Sequence, residues 1–454
     1  MKKFDAIIIG AGQAGTPLAK KLAQAGLQTA LIEKRQVGGT CINDGCTPTK
    51  SMIACAKMAY KAAQSENLGV NIQSYSVDLR KIISRKNQIV DRFRKSSVEG
   101  LEKTVGLTLL YGEAVFIDHK TLRVDMEDSE EVLTAEKIFL DTGLKPHIPE
   151  LDGLNTVPYY TSTTLLDVEE LPPSLLILGG SYIGLELGQM FRRFGSDVTI
   201  IERGQQLLPR EDEDIASAVK EILEEEGIRI LLDTRIKRIR SGKQIELDDG
   251  KQTITGTHLL LATGRIPQTT ALHLEKTGVA TDQKGYITVN EHLETSVPGI
   301  YALGDTKGGP AFTHISFNDY VLVAQNLLKG TNHSIADRQI PYCVFTDPQL
   351  GRVGMTEKEA RGKGLEVEIA SLPMDKTSRG IETGNTKGIM KAVVDRKSGK
   401  ILGAAILGEE GGEVMSVMEM AMRGGFTAMQ IMDHVFAHPL YSESLNNLFM
   451  TLEK

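Results

Sequence analysis

The chain has 454 residues, 41% of them hydrophobic, enough for several cores and for about three domains. Its 52 basic and 59 acidic residues give a net charge of -7 with the basic residues dispersed, which excludes a polyanion-binding surface and nucleic acid as a partner. Four cysteines are too few for a secreted disulfide framework at this length, and no run of about 18 apolar residues offers a membrane span. The opening MKKFDAIIIGAG carries two lysines and an apolar run, but Asp5 and the glycines interrupt it too early for a signal peptide. The cytoplasm is therefore the expected compartment.

The first predicted unit is FDAIIIGAGQAGTPLAKKLAQAGLQTALIEK: a β-branched strand, a glycine turn, a helix from Ala14 to about Ala25, and a second strand ending at Glu33. Gly10, Gly12 and Gly15 form G-x-G-x-x-G, in which missing side chains let a pyrophosphate approach the helix N-terminus. Glu33 lies 23 residues beyond Gly10, where a carboxylate holds a ribose hydroxyl. Next comes GGTCINDGCTPTK, Gly38 to Lys50, with Cys41 and Cys46, followed by a helical run from Cys46 to about Ala63. A close cysteine pair in a reduced compartment reads as redox-active or metal-binding, although no further zinc ligands lie nearby in sequence. One ideal helix would set the two Cα atoms about 7.5 Å apart along its axis, so a bridge requires a distorted first turn, which Gly45 permits. Cys55 and Cys343 read as incidental thiols.

The strand–turn–helix–strand pattern recurs at LLILGGSYIGLELGQMFRRFGSDVTIIER, with Gly179 and Gly184 bracketing the turn, Ser181 in the middle-glycine position, and Glu202 ending the strand. Two such units imply two nucleotide cofactors exchanging electrons. Glu202 repels a 2'-phosphate and points to NADH, while Arg203 beside it leaves NADPH open.

GGTCINDGCTPTK resembles the redox-active signature of the class I, FAD-dependent pyridine nucleotide-disulfide oxidoreductases, the family of glutathione reductase, lipoamide dehydrogenase and mercuric reductase. Further segments recur in the family's order: FLDTG at Phe139–Gly143, LLATGRIP at Leu260–Pro267, IYALGD at Ile300–Asp305, VFTDPQLGRVG at Val344–Gly354 and HPLYSE at His438–Glu443. The resemblance implies an α/β fold with two Rossmann-like dinucleotide-binding domains, for FAD and NAD(P), plus a C-terminal α+β dimerisation domain. It divides the chain into an FAD-binding domain at residues 1–145 and 270–335, an NAD(P)-binding domain at 146–269, and a dimerisation domain at 336–454.

It also implies roles for particular residues. Electrons pass from NAD(P)H through FAD to the Cys41/Cys46 disulfide, with Lys50 and Glu186 as an ion pair near the flavin and Tyr182 lying over it until nicotinamide binds. His438, oriented by Glu443, serves as acid and base at the outer cysteine of the other subunit, which makes the homodimer part of the active site. Cofactor contacts are implied at Gly10, Gly12, Ala14, Gly15, Glu33, Gly39, Thr40, Lys50, Ala114, Thr142, Gly143, Gly264, Arg265, Gly304, Asp305 and His314, with Asp305 on the ribityl chain of FAD. The second nucleotide falls to Gly179, Ser181, Tyr182, Ile183, Gly184 and Glu202. No resident metal is implied.

The terminal FAHPLYSESLNNLF resembles the mercuric-reductase-like branch, which includes copper(II) reductases. That branch's C-terminal cysteine pair has no counterpart, since no cysteine follows Cys343, and the sequence starts at the FAD strand without a metal-capturing domain. Asp44 and Thr47 replace residues that are usually apolar, an acid between the cysteines disfavours a thiolate, and DTG at Asp141 replaces the common ATG. Two enzyme readings follow: a thiol-disulfide reductase of the dihydrolipoamide dehydrogenase kind, and a reductase of metal ions such as copper(II). A flavoprotein that senses nucleotides without turnover is the third reading, and the cysteine pair with its terminal histidine argues against it.

Overall fold

The computed structural model describes residues 1–453, and its contacts divide the chain into two compact units. The first comprises Met1–Ser51, Ile83–His147 and Gly264–Arg338. Its sheet has seven strands, in the order Leu107–Tyr111, Thr29–Glu33, Lys2–Ile9, Glu130–Leu140, Thr121–Asp125 and Glu113–Asp118, with Ile300–Ala302 also paired to Glu130–Leu140. The strands on either side of Lys2–Ile9 run parallel to it, with Ile7 opposite Ala30 and Ile8 opposite Phe139. Parallel strands covered on both faces need no polar alternation, which explains the unbroken apolar run Ala6–Ile9. Ile7 and Ile9 enter one core while Ala6 and Ile8 enter the other. This arrangement ends five parallel strands near one edge and gathers the loops after Ile9, Leu140 and Ala302 there.

The second unit comprises Met52–Ile82, Ile148–Thr263 and Gln339–Lys454. One of its sheets is parallel, in the order Arg229–Leu231, Asp197–Ile201, Ser174–Leu178, His258–Leu261 and Tyr160–Thr161. The antiparallel strands Arg238–Ser241, Ile245–Asp248 and Thr253–Gly256 share a core with it, through Leu176, Leu178, Leu247 and Ile254. A third sheet is antiparallel, in the order Tyr342–Val344, Gln349–Gly354, Ile401–Gly408, Ile389–Asp395 and Val367–Pro373. The helices Gly411–Arg423 and Ser444–Met450 bury Met415, Met418, Leu445 and Phe449 against Met390, Ala404 and Ile406 of that sheet. Among the described residues no helix is long and apolar enough to cross a membrane.

Candidate active site

The strand Lys2–Ile9 turns at Gly10, whose φ of 105° favours glycine. A Cβ on Gly10 would lie 2.2 Å from the Asp141 carbonyl oxygen, and one on Gly15 would lie 2.1 Å from the Gly10 carbonyl oxygen. The turn therefore closes only without those side chains, and Ala14 leads directly into the helix Gly15–Gln24. Glu33, at the end of the adjacent strand, accepts the Ala11 N–H at 2.9 Å and the Arg35 N–H at 2.8 Å. Bare backbone, a helix N-terminus and a strand-end carboxylate fit a dinucleotide with its pyrophosphate on the helix.

The rest of the first unit encloses the same loop. Gly39, with φ 60°, packs so closely that a Cβ on it would lie 2.8 Å from the Gly12 Cα. Arg265 donates to the Thr40 hydroxyl at 3.1 Å and to the Leu144 carbonyl at 3.0 Å, and its guanidinium is 3.8 Å from Asp305. Burial raises the Asp305 carboxyl above its ordinary value, and Arg265 opposes that rise. The Thr142 and Thr306 hydroxyls are 3.1 Å apart, Gly143, Gly264 and Gly304 all take positive φ, and the His314 ring stacks on Phe312. Ala114 sits in the sheet core, 4% exposed.

The cysteine segment is two helices rather than one. Cys41 belongs to Gly39–Asn43 and Cys46 opens Cys46–Ala63, with the chain bending at Asp44 and Gly45. A Cβ on Gly45 would lie 2.9 Å from the Thr40 carbonyl oxygen, so this bend needs glycine. The distorted first turn expected of the sequence is this break. The pair is in the dithiol form: Cys41 donates to Cys46, and that bond, with burial and the charge of Cys46, pushes the Cys41 thiol far above its usual range. Thr313, whose hydroxyl lies 3.5 Å from the Cys46 Sγ, and the cation of Lys50 pull in the other direction. Cys41 thus retains its proton in the dithiol.

Asp44 does not bear on the thiols as an isolated acid, because Arg35 forms an ion pair with it. Asn43 clamps the short helix by donating to the carbonyls of Gln36, Val37 and Gly39, and it accepts from Arg94 at 2.8 Å. Among the described residues no three His, Cys, Asp or Glu side chains are grouped to hold a metal ion.

The second unit carries the second loop. Gly179, at φ 119°, would place a Cβ 2.3 Å from the Ala262 carbonyl oxygen, and Gly184 would place one 2.1 Å from the Gly179 carbonyl oxygen. Ser181 precedes the helix Tyr182–Phe194, which Tyr182 and Ile183 open. Glu202 accepts the N–H groups of Gly180 and Gly204, both at 2.7 Å. This loop fits a second dinucleotide on the same grounds as the first. One turn further along the helix, buried Glu186 accepts the Phe345 N–H at 2.9 Å.

In the same unit the His438 Nδ1 lies 2.9 and 3.1 Å from the two carboxylate oxygens of Glu443. A carboxylate there fixes the proton on Nδ1 and leaves Nε2 as the acceptor. Asn446 ties down the chain before it by donating to the carbonyls of Ile431, Met432 and His434.

Thr313, Arg35 and Arg94 were not legible as site residues. Arg35 lies nine residues before Asp44 and outside any motif, and Thr313 is 267 positions from Cys46, so only folding brings them to the thiols.

Residues 4–319 match the family described as pyridine nucleotide-disulphide oxidoreductase, and residues 340–449 match that family's dimerisation domain. The chain is 39% identical over 454 residues to the probable pyridine nucleotide-disulfide oxidoreductase RclA of Escherichia coli (strain K12), covering 99% of each chain. It is 34% identical to a mercuric reductase of Staphylococcus aureus, covering 99% of this chain and 83% of that one. A solved structure, the Cu(II) complex of the HOCl-induced flavoprotein disulfide reductase RclA from Escherichia coli, superposes with a TM-score of 0.93 at 38% identity over 100% of both chains.

Proposed function

Because the chain belongs to the pyridine nucleotide-disulphide oxidoreductase family, an FAD-dependent enzyme family using NAD(P)H, we propose that it is a reductase whose Cys41/Cys46 pair delivers electrons to a metal ion of the Cu(II) kind. The observation that carries this is the dithiol at the helix break, supported by likeness over the whole chain to a reductase solved with Cu(II). In this reading residues 1–145 and 270–335 hold FAD, 146–269 hold the nicotinamide nucleotide, and 336–454 pair two subunits.

The loop Gly10–Gly15 with Glu33 holds the FAD pyrophosphate and ribose, and Asp305 holds the ribityl chain. When bound, the flavin supplies two-electron relay chemistry between NAD(P)H and the cysteine pair. Lys50 favours negative charge on Cys41. Cys41 keeps its proton in the dithiol, so its entry into reaction requires a base, and His438 of the opposite subunit takes that proton on Nε2 while Glu443 stabilises the cation formed. Reoxidation of the pair to the disulfide releases two electrons and two protons, reducing two Cu(II) ions to Cu(I). A second reading, a small disulfide as acceptor, is favoured by the His438–Glu443 pair, since a departing thiolate needs an acid and a metal ion does not.

Anaerobic oxidation of NADH and NADPH by the purified dimer, offered Cu(II), Hg(II), lipoamide or oxidised glutathione, separates the readings. Cys41→Ser is expected to retain FAD and lose nearly all turnover with the true acceptor. His438→Ala is expected to slow disulfide reduction by about 100-fold, with a smaller effect on Cu(II). Full Cu(II) turnover by Cys41→Ser would remove the cysteines from the electron path.

A further inference from the structure

The DTG segment places a carboxyl group where the loop's anion belongs. Asp141 follows the strand Glu130–Leu140, is 7% exposed, and accepts the Gly15 N–H on Oδ2 at 2.7 Å. The same oxygen lies 2.8 Å from the position a Gly12 Cβ would take, and Oδ1 lies 2.7 Å from that of Gly304. Asp141 therefore borders the bare face of the middle glycine and engages the first N–H of the helix Gly15–Gln24. Its charged surroundings are acidic and basic in turn. Asp305 is 3.8 Å from Arg265, and Asp319 is paired with Lys307 at 3.2 Å and Arg338 at 2.6 Å. Glu33 faces the loop through the Ala11 N–H.

The second nucleotide loop supplies an internal control. Ala262 stands at the position of Asp141, since its carbonyl meets Gly179 as that of Asp141 meets Gly10. That loop forms its own turn and helix with no carboxyl group at this position, so the turn geometry does not require Asp141.

A helix N-terminus favours one anion and disfavours a second beside it. We propose that Asp141 is a proton-linked gate on FAD retention: the pyrophosphate binds with Asp141 as the neutral acid, and the ionised carboxylate, competing for the same N–H groups, releases the cofactor. One proton is taken up from solvent on binding and returned on release. Burial, with Asp305 and Asp319, raises this carboxyl well above its ordinary range, while the N–H groups of Gly15 and Ala14 favour the anion, so the gate operates above normal carboxylate titration.

The inference rests on placing FAD on the Gly10–Gly15 loop. Holoenzyme diluted at a series of pH values, with free FAD read by its fluorescence, tests both. Wild type is expected to hold FAD with constant affinity at low pH and then to lose up to tenfold per pH unit. Asp141→Asn is expected to be flat across the series, and Asp141→Ala, which copies Ala262, repeats the test if the first variant does not accumulate. A flat wild-type profile, or a slope unchanged in the variants, overturns the gate. Protein that takes up no FAD at any pH instead overturns the placement of the cofactor.

Discussion

The two glycine-rich loops resemble each other closely in hydrogen bonding and differ in the side chains at and beside the middle position. In each, a strand-end glutamate accepts the N–H of the residue after the first glycine and that of the residue two beyond itself: Glu33 from Ala11 and Arg35, Glu202 from Gly180 and Gly204. In each, a Cβ on the last glycine would lie 2.1 Å from the carbonyl of the first. The first loop is bordered by the carboxyl of Asp141 and has glycine in the middle, whereas the second is bordered by Ala262 and has Ser181 there. Backbone closure and the strand-end acid are thus what a dinucleotide loop requires. In the first loop the Asp141 carboxyl limits what the middle position tolerates, since a Cβ on Gly12 would lie 2.8 Å from it.

The largest expected effects test closure. Gly15→Ala and Gly184→Ala each drive a methyl into backbone, at a cost of about 2–3 kcal/mol, which is roughly 100-fold in Kd. Gly15→Ala should give nearly colourless protein, while Gly184→Ala should keep its flavin absorbance and fail to be reduced by either nicotinamide nucleotide. If both variants lose both nucleotides, the loops are not the separate devices their geometry describes.

A smaller effect tests the acids. Wild type is expected to prefer NADH, and Glu202→Ala should narrow that preference by about tenfold by removing the charge that repels a 2'-phosphate. Steady-state kcat/KM for both donors measures it. A wild type that strongly favours NADPH would assign the selection to Arg203.

Much of this was legible because it depends on short-range constraints. Spacing alone marks Gly10, Gly15, Gly179 and Gly184, since a tight turn into a helix admits little else, and the apolar strand Ala6–Ile9 announces a doubly covered sheet. Glu33 and Glu202 follow from distance along the chain. What stayed hidden is long-range: the Arg35–Asp44 ion pair, which changes the meaning of an acid between the cysteines, and Thr313 beside Cys46. Asp141 was visible as a departure from ATG, yet its contact with Gly15, 126 positions away, exists only in the folded chain.

The subtlest test concerns the middle position. Gly12 has no side chain, and the three nearest atoms a Cβ there would meet all belong to the Asp141 carboxyl group, the closest at 2.8 Å. Gly12→Ser alone should therefore destabilise the protein by crowding that carboxyl. Asp141→Ala alone removes a hydrogen bond to Gly15, worth about 1.5–3 kcal/mol when the acceptor is charged and less when it is neutral. The double variant Gly12→Ser/Asp141→Ala reproduces the pairing of Ser181 with Ala262, and its loss should be smaller than the sum of the single losses by about 1–2 kcal/mol. Denaturant unfolding of the four proteins, each freed of flavin, measures this coupling without involving the cofactor. Additive losses would mean that Gly12 is bare for the pyrophosphate alone and that the second loop accepts Ser181 for a reason unrelated to Ala262.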